Sequence, residues 1–173
     1  MEKIAIFGSA FNPPSLGHKS VIDSLAHFDK ILLVPSIAHA WGKEMLDFDT
    51  RCQLVEAFIS DLLLDQVELS LVEKGLFTPG ESVTTYAVLS QLQKQHPEVE
   101  LTFVIGPDNF FKFSSFYKSD EITERWSVMA CPEKVKIRST DIRHALQNGS
   151  NVAKLSTKSV TRILQDSELY TII

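Results

Sequence analysis

A chain of 173 residues with 44% hydrophobic composition is long enough for one domain around a real core. Its formal net charge of -5 argues against a protein that coats nucleic acid, while leaving room for a local basic pocket. Cys52 and Cys131 lie far apart without ligand spacing, no signal-peptide pattern is seen, and no apolar run reaches the roughly 20 residues a bilayer demands, so a soluble, cytoplasmic protein with free thiols and no membrane partner is expected.

Residues 3–7 form a short apolar run closed by Gly8, the pattern of a buried parallel strand. A Gly-, Pro- and Ser-rich loop leads into a helix over about 17–28, with Val21, Ile22 and Leu25 on one face. Residues 31–34 are the next buried strand, stopped by Pro35. Residues 36–48 read as irregular, and 50–64 as a helix carrying Leu54, Val55, Phe58 and Ile59 at helical spacing. A strand over 67–72 precedes a loop over 75–80, and a third helix over 83–96 ends before Pro97. Residues 101–105 are a strand stopped by Gly106-Pro107, and 127–131 a strand closed by Pro132. A helix over 139–147 stops at Asn148-Gly149, and 160–165 lie in a last helix.

Strands alternating with helices predict a single Rossmann-like, doubly wound α/β domain over 1–173, with a parallel sheet and right-handed crossovers. In such sheets ligands bind at the carboxyl ends of the strands. The loop Gly8-Ser9-Ala10-Phe11-Asn12-Pro13-Pro14-Ser15-Leu16-Gly17-His18 and the turn Gly106-Pro107-Asp108 both follow strands, so they should share one rim.

The first loop has the properties of a phosphate cradle. Gly8 lets the backbone leave the strand, Pro13-Pro14 stiffen the turn, and Gly17 allows close approach where a helix begins. The free amides of that helix favour an anion, and His18 on its first turn is placed to donate to a phosphate oxygen. A second segment, Lys136 to Arg143, offers Ser139 as an N-cap and Arg138 and Arg143 as cations for a polyphosphate tail, with Asp141 expected to point away. Residue types alone leave a plain glycine–proline loop equally open, and for the second segment they favour an ordinary capped helix with solvated arginines.

Taken together, the two segments resemble the nucleotidyltransferases, and in particular the nicotinate/nicotinamide mononucleotide adenylyltransferases. The family pattern G-x-[ST]-F-[DN]-P-x-[HT]-x-G-H is met by Gly8, Phe11, Asn12, Pro13, Gly17 and His18. The pattern I-S-S-T-x-I-R is met by Ile137, Ser139, Thr140, Ile142 and Arg143. Ile105-Gly106-Pro107-Asp108 resembles the family's I-G-x-D strand end, and the segment 155–170 its terminal helix. Departures are Ser15 for the first histidine of HxGH, Ser9 for a glycine, Ala10 for a hydroxyl residue, Arg138 for the first serine of the second motif, and a short connection between Cys131-Pro132 and Ile137.

The resemblance implies ATP and a pyridine mononucleotide as substrates, nicotinate mononucleotide first, with Mg²⁺ held by the ATP phosphates rather than by a protein cage. His18 and Ser15 would hold the α and β phosphates, and Arg143 with the amides of Ser139 and Thr140 the β and γ phosphates. Gly8, Ser9, Ala10, Phe11, Gly17 and Gly106 would line the ATP site, and Asp108 would accept from ribose hydroxyls. Phe116 would stack on the pyridine, with Trp41 its rival and Thr84 and Thr85 nearby. Lys43 and Arg51 would serve the acceptor, and a homo-oligomer is open. An adenylyltransferase for another acceptor such as phosphopantetheine, and a non-catalytic nucleotide-binding protein of this fold, are the alternatives. His27, His39, His96 and His144 read as surface or capping residues.

Overall fold

The computed structural model describes residues 1–38 and 45–171, so Lys43, Trp41 and His39 lie outside the described residues. Strand β1 spans Lys3–Ser9, β2 Lys30–Pro35, β3 Val67–Leu69, β4 Glu100–Ile105 and β5 Ser127–Ala130. All neighbours pair in parallel, in the order β3-β2-β1-β4-β5. This is the expected doubly wound sheet, with the reversal of strand order at β1 and β4.

Alternation along each strand sends side chains to two separate cores. Ala5 and Phe7 of β1, with Ile31 and Leu33 of β2, join Val21, Ile22, Phe58, Ile142 and Leu164 on one face. Ile4 and Ile6, with Leu32 and Val34, join Val88, Leu89, Leu92 and Ile122 on the other. The first face is covered by α1 (Leu16–Asp23), α2 (Phe48–Leu62), α7 (Ser139–Gln147) and α8 (Lys158–Asp166). The second is covered by α3 (Val72–Leu76), α4 (Thr85–Gln95) and α6 (Ser119–Arg125), while α5 (Pro107–Phe111) follows β4 at the rim.

Several boundaries differ from expectation for local reasons. Helix α1 stops at Asp23 rather than near Phe28, because Ser24 and Leu25 donate back three residues, to Val21 and Ile22, and tighten the last turn. Strand β3 ends at Leu69, not Val72. Its partner β2 provides no further register there, and the Ser70 hydroxyl accepts from the Val72 amide, which starts α3 inside the segment expected to be strand and loop. The helices α3, α5 and α6 have 5, 5 and 7 residues and no periodicity that the sequence reading could register.

Candidate active site

Strand β1 pairs with β4 only as far as Phe7–Val104, while Gly8 and Ser9 continue along β2 against Val34 and Pro35. A crevice therefore opens between the end of β1 and the end of β4. Gly8 does not turn the chain out as expected; it stays in the strand without a positive φ, and the sharp change falls on Phe11 at φ 48. A phenylalanine in the left-handed region costs of order 1–3 kcal/mol. Burial supports it: Phe11 is fully buried, with its ring 4.7 Å from the His18 ring and 5.6 Å from Phe7. The Asn12–Pro13 peptide bond that follows is cis.

Ser15 caps α1, its hydroxyl accepting from the His18 amide at 3.3 Å. The His18 side chain folds back, so that its Nδ1 accepts from the Ser15 amide at 3.0 Å. That bond leaves the ring proton on Nε2, which lies 3.0 Å from the Ser9 hydroxyl. Burial against the phenylalanines lowers the His18 pKa from 6.5 to about 4, so near neutral pH the ring is an uncharged Nε2–H donor.

A cleft of about 350 Å³ holds most of the residues expected around ATP. Gly8, Ser9, Ala10, Phe11, Ser15 and His18 line one wall, Gly106 and Asp108 the facing wall, and Ser139, Thr140 and Arg143 one end. Ser139 is not the N-cap of α7. Arg138 takes that position, its amide donating to Asp141 at 2.8 Å, while the Ser139 hydroxyl donates to the Pro13 carbonyl at 2.6 Å and ties the helix to the loop. Asp141 is thereby spent on the helix start. The Arg143 guanidinium donates to the Asn12 carbonyl at 2.7 Å and to the Thr140 hydroxyl at 3.2 Å, with its remaining edge on the cleft.

A second cleft of about 600 Å³ adjoins the first and shares Gly8, Ser9, Ala10 and Asn109 with it. It gathers Thr84, Thr85 and Phe116, the residues expected around a pyridine. Thr84 caps α4, its hydroxyl accepting from the Ala87 amide at 3.1 Å, and it lines the cleft beside Thr85. Phe116 packs 5.0 Å from Phe113 and still lines the cavity, so it serves core and cleft together.

Two expected site residues stand elsewhere. Gly17 lines neither cleft; a Cβ there would meet the Ile137 carbonyl at 2.2 Å, so glycine lets α1 touch the connector between β5 and α7. Arg51 is 1% exposed, and its guanidinium donates to the carbonyls of Leu46, Ala10 and Ser36 at 2.7, 2.8 and 2.6 Å. It stitches the strand-end loops from behind rather than lining either cleft.

Asn12, Glu73, Asn109 and Tyr117 also line the clefts and Tyr170 bonds Asn12, places that spacing alone does not assign. Glu73 lines the second cleft; burial lifts its carboxyl from 4.5 to about 7, against the pull of the Ile37 amide and Arg51. A glutamate on a five-residue helix gives no sequence signal of such burial. Asn12 did carry one, as an amide inside the first motif.

The cytidylyltransferase-like family model matches residues 6–145. The chain belongs to that family. A crystal structure from Vibrio parahaemolyticus, named as a candidate nicotinate-nucleotide adenylyltransferase, is 56% identical with a TM-score of 0.89, covering 100% of this chain and 98% of that one. A "Probable nicotinate-nucleotide adenylyltransferase" of Lactiplantibacillus plantarum is 27% identical over 97% of this chain and 88% of its own. The Plasmodium falciparum nicotinic acid mononucleotide adenylyltransferase complexed with APC shares the fold at 15% identity, TM-score 0.78, over 100% and 99% of the two chains. The family member described here is a nucleotidyltransferase of the nicotinate-nucleotide adenylyltransferase kind, an adenylyl-transferring enzyme of NAD biosynthesis. Among its described residues no helix is long and apolar enough to cross a membrane.

Proposed function

We propose that the chain transfers the adenylyl group of ATP to a pyridine mononucleotide, nicotinate mononucleotide first, releasing pyrophosphate. The observation that carries this reading is the shared wall. Two clefts meet at Gly8, Ser9 and Ala10, and the Nε2–H of His18 is hydrogen-bonded at that wall. ATP in the smaller cleft and the mononucleotide in the larger would bring the α-phosphorus and the attacking phosphate together there. The Plasmodium relative, described in complexes with APC and with NaAD, supports both occupants.

In this reading an oxygen of the acceptor phosphate forms a bond to the α-phosphorus as the bond to the β-phosphate bridging oxygen breaks. Pyrophosphate leaves, and no covalent enzyme intermediate forms. Such transfer depends on positioning and charge neutralisation. His18 donates a neutral hydrogen bond to the α-phosphate, and Arg143 with the α7 amides at Ser139 and Thr140 holds the β and γ phosphates. Ser15 acts through His18, fixing its tautomer, and Asp108 accepts from the adenosine ribose. Thr84, Thr85 and Phe116 receive the pyridine, where stacking is worth about 0.5–1.5 kcal/mol beyond burial. Mg²⁺ held by the ATP phosphates would neutralise charge that builds on them during the transfer.

The test mixes purified protein, Mg²⁺ and ATP with nicotinate mononucleotide, nicotinamide mononucleotide or phosphopantetheine and follows pyrophosphate. Turnover with nicotinate mononucleotide ahead of the others is expected. ATP binding without turnover on any acceptor would overturn the reading in favour of a binding protein. His18→Ala should lower kcat by about 10²–10³-fold while shifting the ATP dissociation constant far less; an unchanged kcat would remove His18 from the reaction.

A further inference from the structure

We propose that Tyr170, near the far end of the chain, is a positioning residue for the ATP phosphates, acting through Asn12. This inference rests on the reading of Arg143 as a phosphate ligand. The Tyr170 hydroxyl donates to Asn12 Oδ1, across 158 positions of sequence. The same oxygen accepts from the Leu46 amide at 3.4 Å, and the Asn12 backbone carbonyl accepts from Arg143 Nη1 at 2.7 Å. Asn12 is 5% exposed and sits between Phe11, at φ 48, and Pro13. Asn12 therefore takes the closing segment on its side chain and the cation Arg143 on its backbone carbonyl, so one residue joins the two through the phosphate loop.

The tyrosine is built for donation. Burial pushes its phenol upward, against the pull of Arg143 and Arg51, so the hydroxyl keeps its proton. Its own backbone is held at φ 64, and the preceding Leu169 amide donates to the Leu164 carbonyl at 3.1 Å, which seats the segment at the end of α8. Two further bonds clamp the same loop from the same part of the chain. Ser156 donates to the Pro14 carbonyl at 2.7 Å and the Leu16 amide to the Leu155 carbonyl at 3.0 Å. Tyr170 differs from both because its partner residue also orients Arg143. Losing its hydroxyl frees Asn12 to move with the guanidinium it carries.

The experiment measures MgATP dissociation constants and steady-state KM values for wild type, Tyr170→Phe, Asn12→Ala and the double variant. Tyr170→Phe removes one buried hydrogen bond and should weaken MgATP about three- to tenfold, with the KM for nicotinate mononucleotide changed less than about twofold. Asn12→Ala should reproduce the loss, and Tyr170→Phe should add nothing in that background, the signature of one shared path. Additive effects, a change confined to the acceptor KM, or a lowered melting temperature with unchanged MgATP affinity would each overturn the proposal. If Tyr170→Phe does not fold, Asn12→Ala carries the same split between substrates. A wild type that binds no ATP would sink the functional reading, and this inference with it; an intact wild type beside an unaffected Tyr170→Phe sinks this inference alone.

Discussion

At the scale of single residues, two basic side chains of the first half, His18 and Arg51, differ sharply in what surrounds them. His18 has its Nδ1 taken by the Ser15 amide, so the Nε2–H, which meets the Ser9 hydroxyl at 3.0 Å, is its one donor on the cleft. Arg51 is turned to the backbone: Nε and Nη1 make three strong bonds to carbonyls, Nη2 reaches the Ile37 carbonyl at 3.5 Å, and burial lowers its pKa. The bonded carbonyls belong to the loops after β1 and β2 and to the residue before the α2 N-cap Asp47. A lysine cannot reproduce that planar fork. Arg51→Lys should therefore cost about 2–4 kcal/mol, since hydrogen bonds to a charged group are worth about 1.5–3 kcal/mol each and are not additive. That corresponds to a fall in melting temperature of roughly 4–16 °C at about 2–4 °C per kcal/mol. A direct contact with the acceptor would instead raise its KM without moving the melting temperature, and that outcome would reject the structural role.

At the scale of elements, the connector after β5 is held by the start of α1. The Gly17 amide donates to the Ile137 carbonyl at 3.1 Å and the Lys134 amide to the Ser20 hydroxyl at 3.1 Å. A Cβ on Gly17 would meet the Ile137 carbonyl at 2.2 Å and the Val135 carbonyl at 3.2 Å, and backbone yields less readily than a side-chain tip. Gly17→Ala should lower stability by about 1–3 kcal/mol, the usual cost of overpacking. It should also weaken ATP binding, because the displaced connector leads directly into Arg138 and α7; thermal denaturation and ATP titration read the two effects. Unchanged values in both would mean that the connector relaxes freely.

This packing bears on what was legible in advance. Strands β1, β2 and β4 were readable because each is an apolar run stopped by Gly or Pro, and α7 because Ser139 and Asn148-Gly149 bracket it. The rim shared by His18 and Asp108 is expected because both follow strand ends of a parallel sheet, whereas Arg143 joins it only through the second motif. The burial of Arg51, the lifted carboxyl of Glu73 and the hydroxyl of Tyr170 did not. Each depends on partners brought together by tertiary folding, and arginine and glutamate are types that ordinarily face water. Gly17 was read correctly as a point of close approach, but the approaching group is the connector's backbone; local sequence carries no sign of which.

At the scale of the whole molecule, the two clefts place opposite titrations on either side of their shared wall. His18 is a base whose folded pKa is depressed from 6.5 to about 4. Between those values the unfolded chain binds the extra proton, so this group's stability is present above 6.5 and lost as pH falls toward 4. Glu73 is an acid whose folded pKa is raised from 4.5 to about 7. Between those values the folded chain binds the extra proton, so its contribution is present below 4.5 and lost as pH rises toward 7. Each shift would be worth about 3 kcal/mol with full exclusion from water. The edges of both groups reach their clefts, which brings the figure to roughly 1–3 kcal/mol. The two slopes oppose each other where their windows overlap, between about 4.5 and 6.5. Their sum in the wild type should be nearly flat there, and single substitutions should unmask each slope. His18→Gln leaves Glu73 alone, and its stability should fall as pH rises from about 4.5 to about 7. Glu73→Gln leaves His18 alone, and its stability should rise with pH from about 4 to about 6.5. Urea midpoints measured across this range show each variant's slope, and the difference from wild type at the same pH isolates the group removed, cancelling carboxylates such as Asp47 and Asp61, whose folded pKa values lie below 3.8. Parallel profiles for all three proteins would show that neither group is held out of water by the walls of its cleft.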